Sequence, residues 1–194
     1  MALIAIAGPP GVGKSSLALE VGKRTGLPIC RMDADRFRRF RRWGYNKTRA
    51  HVAFQSGGAI ALHGYTARFE LRDLDLLMAI NKFGVLDLGG GVLGQWKEGD
   101  RRTLQVVLER VDLLVLLVPY PDDIERTVRL LLARIERRGR GDHEVTAWLA
   151  RGGRRLVYRL VEATLACSHL RCATLYDNHH SAMRGIMDFI AKYS

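Results

Sequence analysis

Eight residues near the start of the chain, Gly8-Pro9-Pro10-Gly11-Val12-Gly13-Lys14-Ser15, match the pattern G-x-x-x-x-G-K-[ST] in full. The chemistry such a run performs is the binding of phosphate. Backbone N–H groups of the loop point at phosphate oxygens, and a helix that follows adds the positive end of its dipole. Gly11 and Gly13 let the backbone turn and approach without a Cβ in the way. Lys14 is suited to reach the β- and γ-phosphates of a nucleotide, and the Ser15 hydroxyl to coordinate Mg²⁺. The expected nucleotide site is Gly8, Pro10, Gly11, Val12, Gly13, Lys14, Ser15 and Ser16, with ATP and Mg²⁺ as cofactors.

Four further groups could do chemistry beside it. Met32-Asp33-Ala34-Asp35 puts two carboxylates at the end of an apolar run. Phosphoryl transfer needs a metal ligand and a group that orients or deprotonates the acceptor hydroxyl. Asp33 suits the first task and Asp35 the second; the plainer reading makes one of them the N-cap of a helix starting at Arg36. Gly89-Gly90-Gly91 follows a second apolar run, so Gly90 and Gly91 can let an acceptor or the P-loop close on the backbone. Asp87, within that run, is either an acid supplied toward Mg²⁺ or a buried partner for the P-loop Ser or Lys. The Arg-rich stretch 134–144 suits a lid in which Arg138 or Arg140 stabilises transferred charge. Its plain alternative is a solvated helix end, where arginine also complements the dipole. Arg154 opens a helix, an unfavourable end for a cation unless an anionic substrate offsets it.

The elements that must carry these groups alternate. Short apolar runs at 3–7, 28–32, 85–88, 113–118 and 172–176 read as strands buried on both faces. Helical spacing marks 16–24, 67–80, 101–111, 123–137, 154–166 and 182–193, with Asp122 and Glu125 resembling a capping box. Strand–helix alternation predicts a parallel α/β sheet. Ligands of such sheets sit beyond the carboxyl ends of the strands. The stretch 36–66 looks less regular, and an insertion of about 34–66 is expected to bind the acceptor. Within it, Phe37 and Phe40 at i, i+3 predict an amphipathic helix with both rings in the core and the arginines outside.

At 194 residues and 47% hydrophobic content, one domain is expected. The net charge of +11 favours anionic partners and is equally the mark of an Arg-rich surface. Cys30, Cys167 and Cys172 read as buried thiols of a reducing cytoplasm, without zinc-site spacing. No apolar run reaches the roughly 20 residues of a membrane span. A strand and a P-loop occupy the N-terminal stretch where a signal peptide would lie.

Together the motifs resemble the shikimate kinase family of P-loop kinases. The match consists of the Walker A run Gly8–Ser15, the pair Asp33 and Asp35, the triple glycine Gly89–Gly91, a lid at about 134–144, and Arg154 with Tyr158 as an Arg-x-x-x-Tyr helix start. The resemblance implies a three-layer α/β/α P-loop NTPase fold with a five-stranded parallel sheet in the order 2-3-1-4-5. It implies transfer of phosphoryl from ATP to a hydroxyl of a small molecule. One departure bears on the substrate. The family's Phe-Arg-x-x-Glu reads here Phe69-Glu70-Leu71-Arg72-Asp73, so Glu70 stands where an arginine would grip the shikimate carboxylate. An acceptor other than shikimate is therefore expected. Two alternatives accompany this reading. One is a nucleotide or polynucleotide 5′-hydroxyl kinase that uses the basic segment 36–49 to hold nucleic acid. The other is a regulatory ATP-binding protein without phosphotransfer.

Overall fold

The run Leu3–Ala7 forms strand β1, and its two faces set the layers of the molecule. Leu3, Ala5 and Ala7 pack on one side, Ile4 and Ile6 on the other, and all five are buried. The computed structural model describes residues 2–193. After β1 the elements are α1 (Lys14–Thr25), β2 (Ile29–Arg31), α2 (Arg36–Arg41), α3 (Lys47–Ile80), β3 (Gly84–Asp87), α4 (Glu98–Leu108) and β4 (Leu113–Leu117). Then follow α5 (Ile124–Arg138), α6 (His143–Trp148), a π-helical turn (Leu149–Gly153), α7 (Arg154–Ala166), β5 (Ala173–Tyr176) and α8 (His179–Tyr193).

The sheet has five strands in the order β2-β3-β1-β4-β5, and every pairing is parallel. Helices α1 and α8 cover one face through Leu17, Val21, Met183 and Ile186. Helices α3 and α4 cover the other through Leu74, Met78, Leu104 and Leu108. Helices α5 and α7 pack together beside Val118. The expected three-layer α/β/α fold is present. The register sets Asp87 beside Ile6 and Arg31, which brings the ends of β1, β2 and β3 together at one edge of the sheet.

Several expectations need correction. The stretch 36–66 is not irregular: α2 and most of α3 occupy it. The 34-residue α3 is broken at Gly57 (φ −148°) and Gly58 (φ 64°), and that break hides its periodicity in the sequence. Gly58 abuts the carbonyl of Arg151, leaving no room for a Cβ. The cap of α5 is Asp123 rather than Asp122; its carboxylate accepts from the Arg126 N–H at 2.8 Å. Phe40 is buried as expected, but Phe37 is 45% exposed. Of the three cysteines only Cys167 is buried; Cys30 and Cys172 are half-buried, and all are free thiols.

Arg39 also breaks the expected pattern, because it points inward. Its guanidinium grips Asp73 of α3 with two bonds, at 2.5 and 2.8 Å. The same group donates to the carbonyls of Met32 (2.5 Å) and Ala34 (2.6 Å). Asp73 is fully buried, so removing its partner leaves a charge in a dry site. Arg39→Met should destabilise the fold by about 3–5 kcal/mol, measured by urea unfolding. A loss below about 1 kcal/mol would mean that the pair behaves like a surface contact.

Candidate active site

The P-loop wraps the N-terminus of α1. Gly8, Gly11 and Gly13 all have positive φ (150°, 82° and 109°), a region that favours glycine. Gly8 lies against the Leu117 carbonyl, whereas nothing crowds the missing side chain of Gly13. The Val12 side chain is half-buried and packs into the core. A cavity of 360 Å³ opens over the loop. Its walls include Pro10, Lys14, Ser15 and Ser16 from the loop, Asp33, Arg36, Gly90 and Gly91 from the neighbouring turns, and Arg138 from α5.

Lys14 is buried, and its Nζ donates to the Pro9 carbonyl at 3.1 Å. Burial pulls its pKa down from 10.5 to about 8, against the attraction of Asp87 and Asp33. Arg138 pushes in the same direction as burial. An ammonium held this way, under loop amides and a helix dipole, is short of negative charge. The donor set therefore fits a polyphosphate. Asp33 lines the cavity and pairs with Arg36 at 2.9 Å. Asp87 is buried and lies 3.6 Å from the Arg31 guanidinium. Among the described residues no group of three or more His, Cys, Asp or Glu side chains could hold a metal by itself.

Asp35 occupies the N-cap position of α2 without capping it through its side chain. Its backbone is left-handed (φ 55°), the one positive φ outside glycine among the described residues. That conformation costs free energy; the exposed carboxylate pairs with Arg38 at 3.1 Å and does not line the cavity.

The triple glycine serves three neighbours. A Cβ on Gly89 would come 3.1 Å from Asp33 Oδ1, one on Gly90 3.0 Å from the Pro10 ring, and one on Gly91 2.9 Å from Glu70 Oε2. Glu70 is buried, and its Oε2 has no hydrogen-bond partner among the described residues. Burial lifts its pKa from 4.5 to about 7; Arg36 opposes the rise, while Asp33 and Asp73 add to it. Nearby, His63 Nε2 faces the Gly94 carbonyl at 2.8 Å and must carry the proton, because a carbonyl only accepts. Burial lowers the pKa of that ring below the usual histidine range.

Gly8, Val12, Asp35, Glu70 and Asp87, also expected at the site, are not walls of the cavity, and two arginines stand further apart. Arg140 is exposed in the turn between α5 and α6, and Arg154 is exposed in the first turn of α7; neither lines the cavity. The stretch 134–144 is the end of α5, a tight turn closed by Asp142 N–H to the Gly139 carbonyl (2.9 Å), and the start of α6. Sequence reasoning missed Arg36 as a cavity residue. Its signal was present as the i, i+3 spacing from Asp33.

A profile described as ATPase family associated with various cellular activities (AAA) matches residues 4–60. No curated protein sequence matches the chain. Among solved structures, a deoxyadenosine kinase from M. mycoides with products dCMP and dCDP superposes at TM-score 0.61 and 13% identity, covering 99% of this chain and all of that one. Shikimate kinase from Acinetobacter baumannii in complex with shikimate gives 0.53 and 18%, covering 100% and 95%. The chain has the shikimate kinase-like P-loop fold. A gluconokinase from Sinorhizobium meliloti 1021 shares it at 0.52 and 12%, covering 100% and 97%.

The buried Glu70 makes stability depend on pH. Its folded pKa is raised, so its contribution is fully present below about 4.5 and is lost as pH rises through about 7. Glu70→Gln has no such ionisation. Between about pH 5 and pH 7.5 the variant should gain up to about 3 kcal/mol on the wild type. Paired urea melts check this; parallel stability curves would contradict it.

Proposed function

We propose that this chain is an ATP-dependent kinase that phosphorylates a hydroxyl of a small molecule other than shikimate. The observation that carries the reading is the single cavity lined by Lys14, Ser15, Asp33, Arg36, Gly90, Gly91 and Arg138. It combines phosphate-binding groups with an open wall for an acceptor. Mg²⁺-ATP, when bound, supplies the phosphoryl group and neutralises its charge. The P-loop amides and Lys14 bind phosphate oxygens. Ser15, Asp33 and Asp87 are the residues that would hold Mg²⁺. Arg138 faces the charge that develops on transfer, with Arg140 and Arg154 available only if their segments move inward. Asp35 orients the acceptor hydroxyl and takes its proton. Gly90 and Gly91 let the acceptor rest on bare backbone, and Glu70 behind them repels a carboxylate. Free cysteines, and the absence among the described residues of a helix long and apolar enough to cross a membrane, suit a cytoplasmic setting and one P-loop domain spanning 1–194.

A second reading has its own observation. Phe37 is exposed on a helix whose Arg38 and Arg41 are exposed too, and Arg36 of the same helix lines the cavity. Basic residues with an aromatic platform suit a single-stranded 5′ end. Oligonucleotide affinity that falls steeply with salt would favour it over a small acceptor.

Lys14→Ala should abolish ATP turnover in an ADP-release screen of hydroxyl compounds while leaving the fold intact. Turnover within a few-fold of wild type would end the assignment of residues 8–15 as a catalytic phosphate site. Asp35→Asn should lower kcat by about 10²–10⁴ with little change in the KM for ATP; a loss confined to ATP affinity would move Asp35 into the nucleotide shell. Shikimate should be at least about a hundredfold poorer than the true acceptor in kcat/KM. An ordinary kcat/KM of about 10⁴ M⁻¹s⁻¹ with shikimate would refute that expectation.

A further inference from the structure

Every other acid around the cavity is committed. Asp33 pairs with Arg36, Asp35 with Arg38, Asp73 with Arg39, and Asp87 lies beside Arg31. Glu70 has no ion pair among the described residues, and its buried Oε2 has no hydrogen bond. Such atoms are rare in folded proteins, because desolvation goes uncompensated.

The surroundings of Glu70 are mixed in charge. Its own helix α3 contributes Asp73 and His63, the turn after β2 contributes Asp33, and α2 contributes Arg36. The loop after β3 contributes only the bare backbone of Gly91. Gly91 is also a wall of the phosphate cavity. Glu70 is not itself a wall of that cavity, so a molecule resting on that glycine meets the carboxyl only once the side chain turns past the bare backbone toward it.

We infer that Glu70 makes the acceptor wall selective for hydroxyl compounds that also carry a protonated amine. The inference rests on the kinase reading above. An ammonium seated against Gly91 would draw the Glu70 carboxyl toward the cavity and give Oε2 the partner it lacks. It would also gain from the negative potential of Asp33 and Asp73, which a neutral hydroxyl donor would not. Charge-assisted hydrogen bonds are roughly twice as strong as neutral ones. Arg36 is the one cation near Glu70, and it is already engaged by Asp33.

Binding of this kind needs the ionised carboxylate. Because burial lifts the Glu70 pKa to about 7, affinity for an amine should rise with pH through neutrality.

The test is calorimetric titration of the full chain, with a non-hydrolysable ATP analogue present, using matched pairs of probes. Suitable pairs are ethanolamine with ethylene glycol, serinol with glycerol, and glucamine with sorbitol. At about pH 8, at least one amine should bind about tenfold or more tighter than its hydroxyl twin. Glu70→Gln should erase the advantage. In the wild type alone, amine affinity should fall about tenfold between pH 8 and pH 6. The variant keeps the shape and removes a buried charge, so folding is not at risk. Equal affinities within every pair, no binding of any amine, or an advantage that survives in the variant would each overturn the inference. ADP release with ATP, measured separately, distinguishes the two readings. Amine binding through Glu70 without ADP release would defeat the kinase reading alone. ADP release with neutral acceptors only would defeat the amine selectivity alone.

Discussion

The guanidinium of Arg39 joins three parts of the chain that the sheet alone would leave apart. Through Asp73 it fixes α2 to α3, and through the carbonyls of Met32 and Ala34 it fixes the turn that carries Asp33 and Asp35. A planar fork with five donors can serve a carboxylate and two carbonyls at once, which a lysine could not. Glu70 stands one helical turn before Asp73, so the same clamp sets how far Glu70 lies from the paired acids. The turn that lines the phosphate cavity and the buried wall behind Gly91 thus share one fastener.

The two buried ionisable groups on either side of the cavity are held in opposite discomfort. Lys14 is a cation pulled toward its neutral form, and Glu70 is an anion pulled toward its neutral form. They do not touch, because the loop carrying Gly90 and Gly91 lies between them. Each is therefore left to be stabilised by a different molecule. In the reading proposed above, phosphate answers the first and a positively charged acceptor the second.

What the sequence made legible follows from how each element is buried. The strands Leu3–Ala7 and Leu113–Leu117 are covered on both faces and so read as unbroken apolar runs. The P-loop and the triple glycine are local in sequence and were readable for the same reason. Helix α3 was half hidden, because the break at Gly57 and Gly58 resets its face midway. Arg39 was hidden too. It is one of five arginines in the seven residues 36–42, interleaved with Phe37 and Phe40, and such a run reads as a solvated face. Its partner lies 34 residues away, a distance only the tertiary fold can close. Asp122 and Asp123 are adjacent, and which one caps α5 depends on where the turn before it ends.

The three glycines after β3 have a consequence for how this chain can change over time. Gly89 leaves space for Asp33, Gly90 for Pro10, and Gly91 for Glu70. Loss of a single residue from this stretch would shift the next side chain, that of Val92, toward the place Gly91 now keeps clear. Lengthening it by one would move every clearance away from the neighbour it fits. Descendants of this sequence can therefore vary the helices around the cavity far more freely than the length of this loop, and a change of acceptor is more accessible through position 70 than through the glycines it faces.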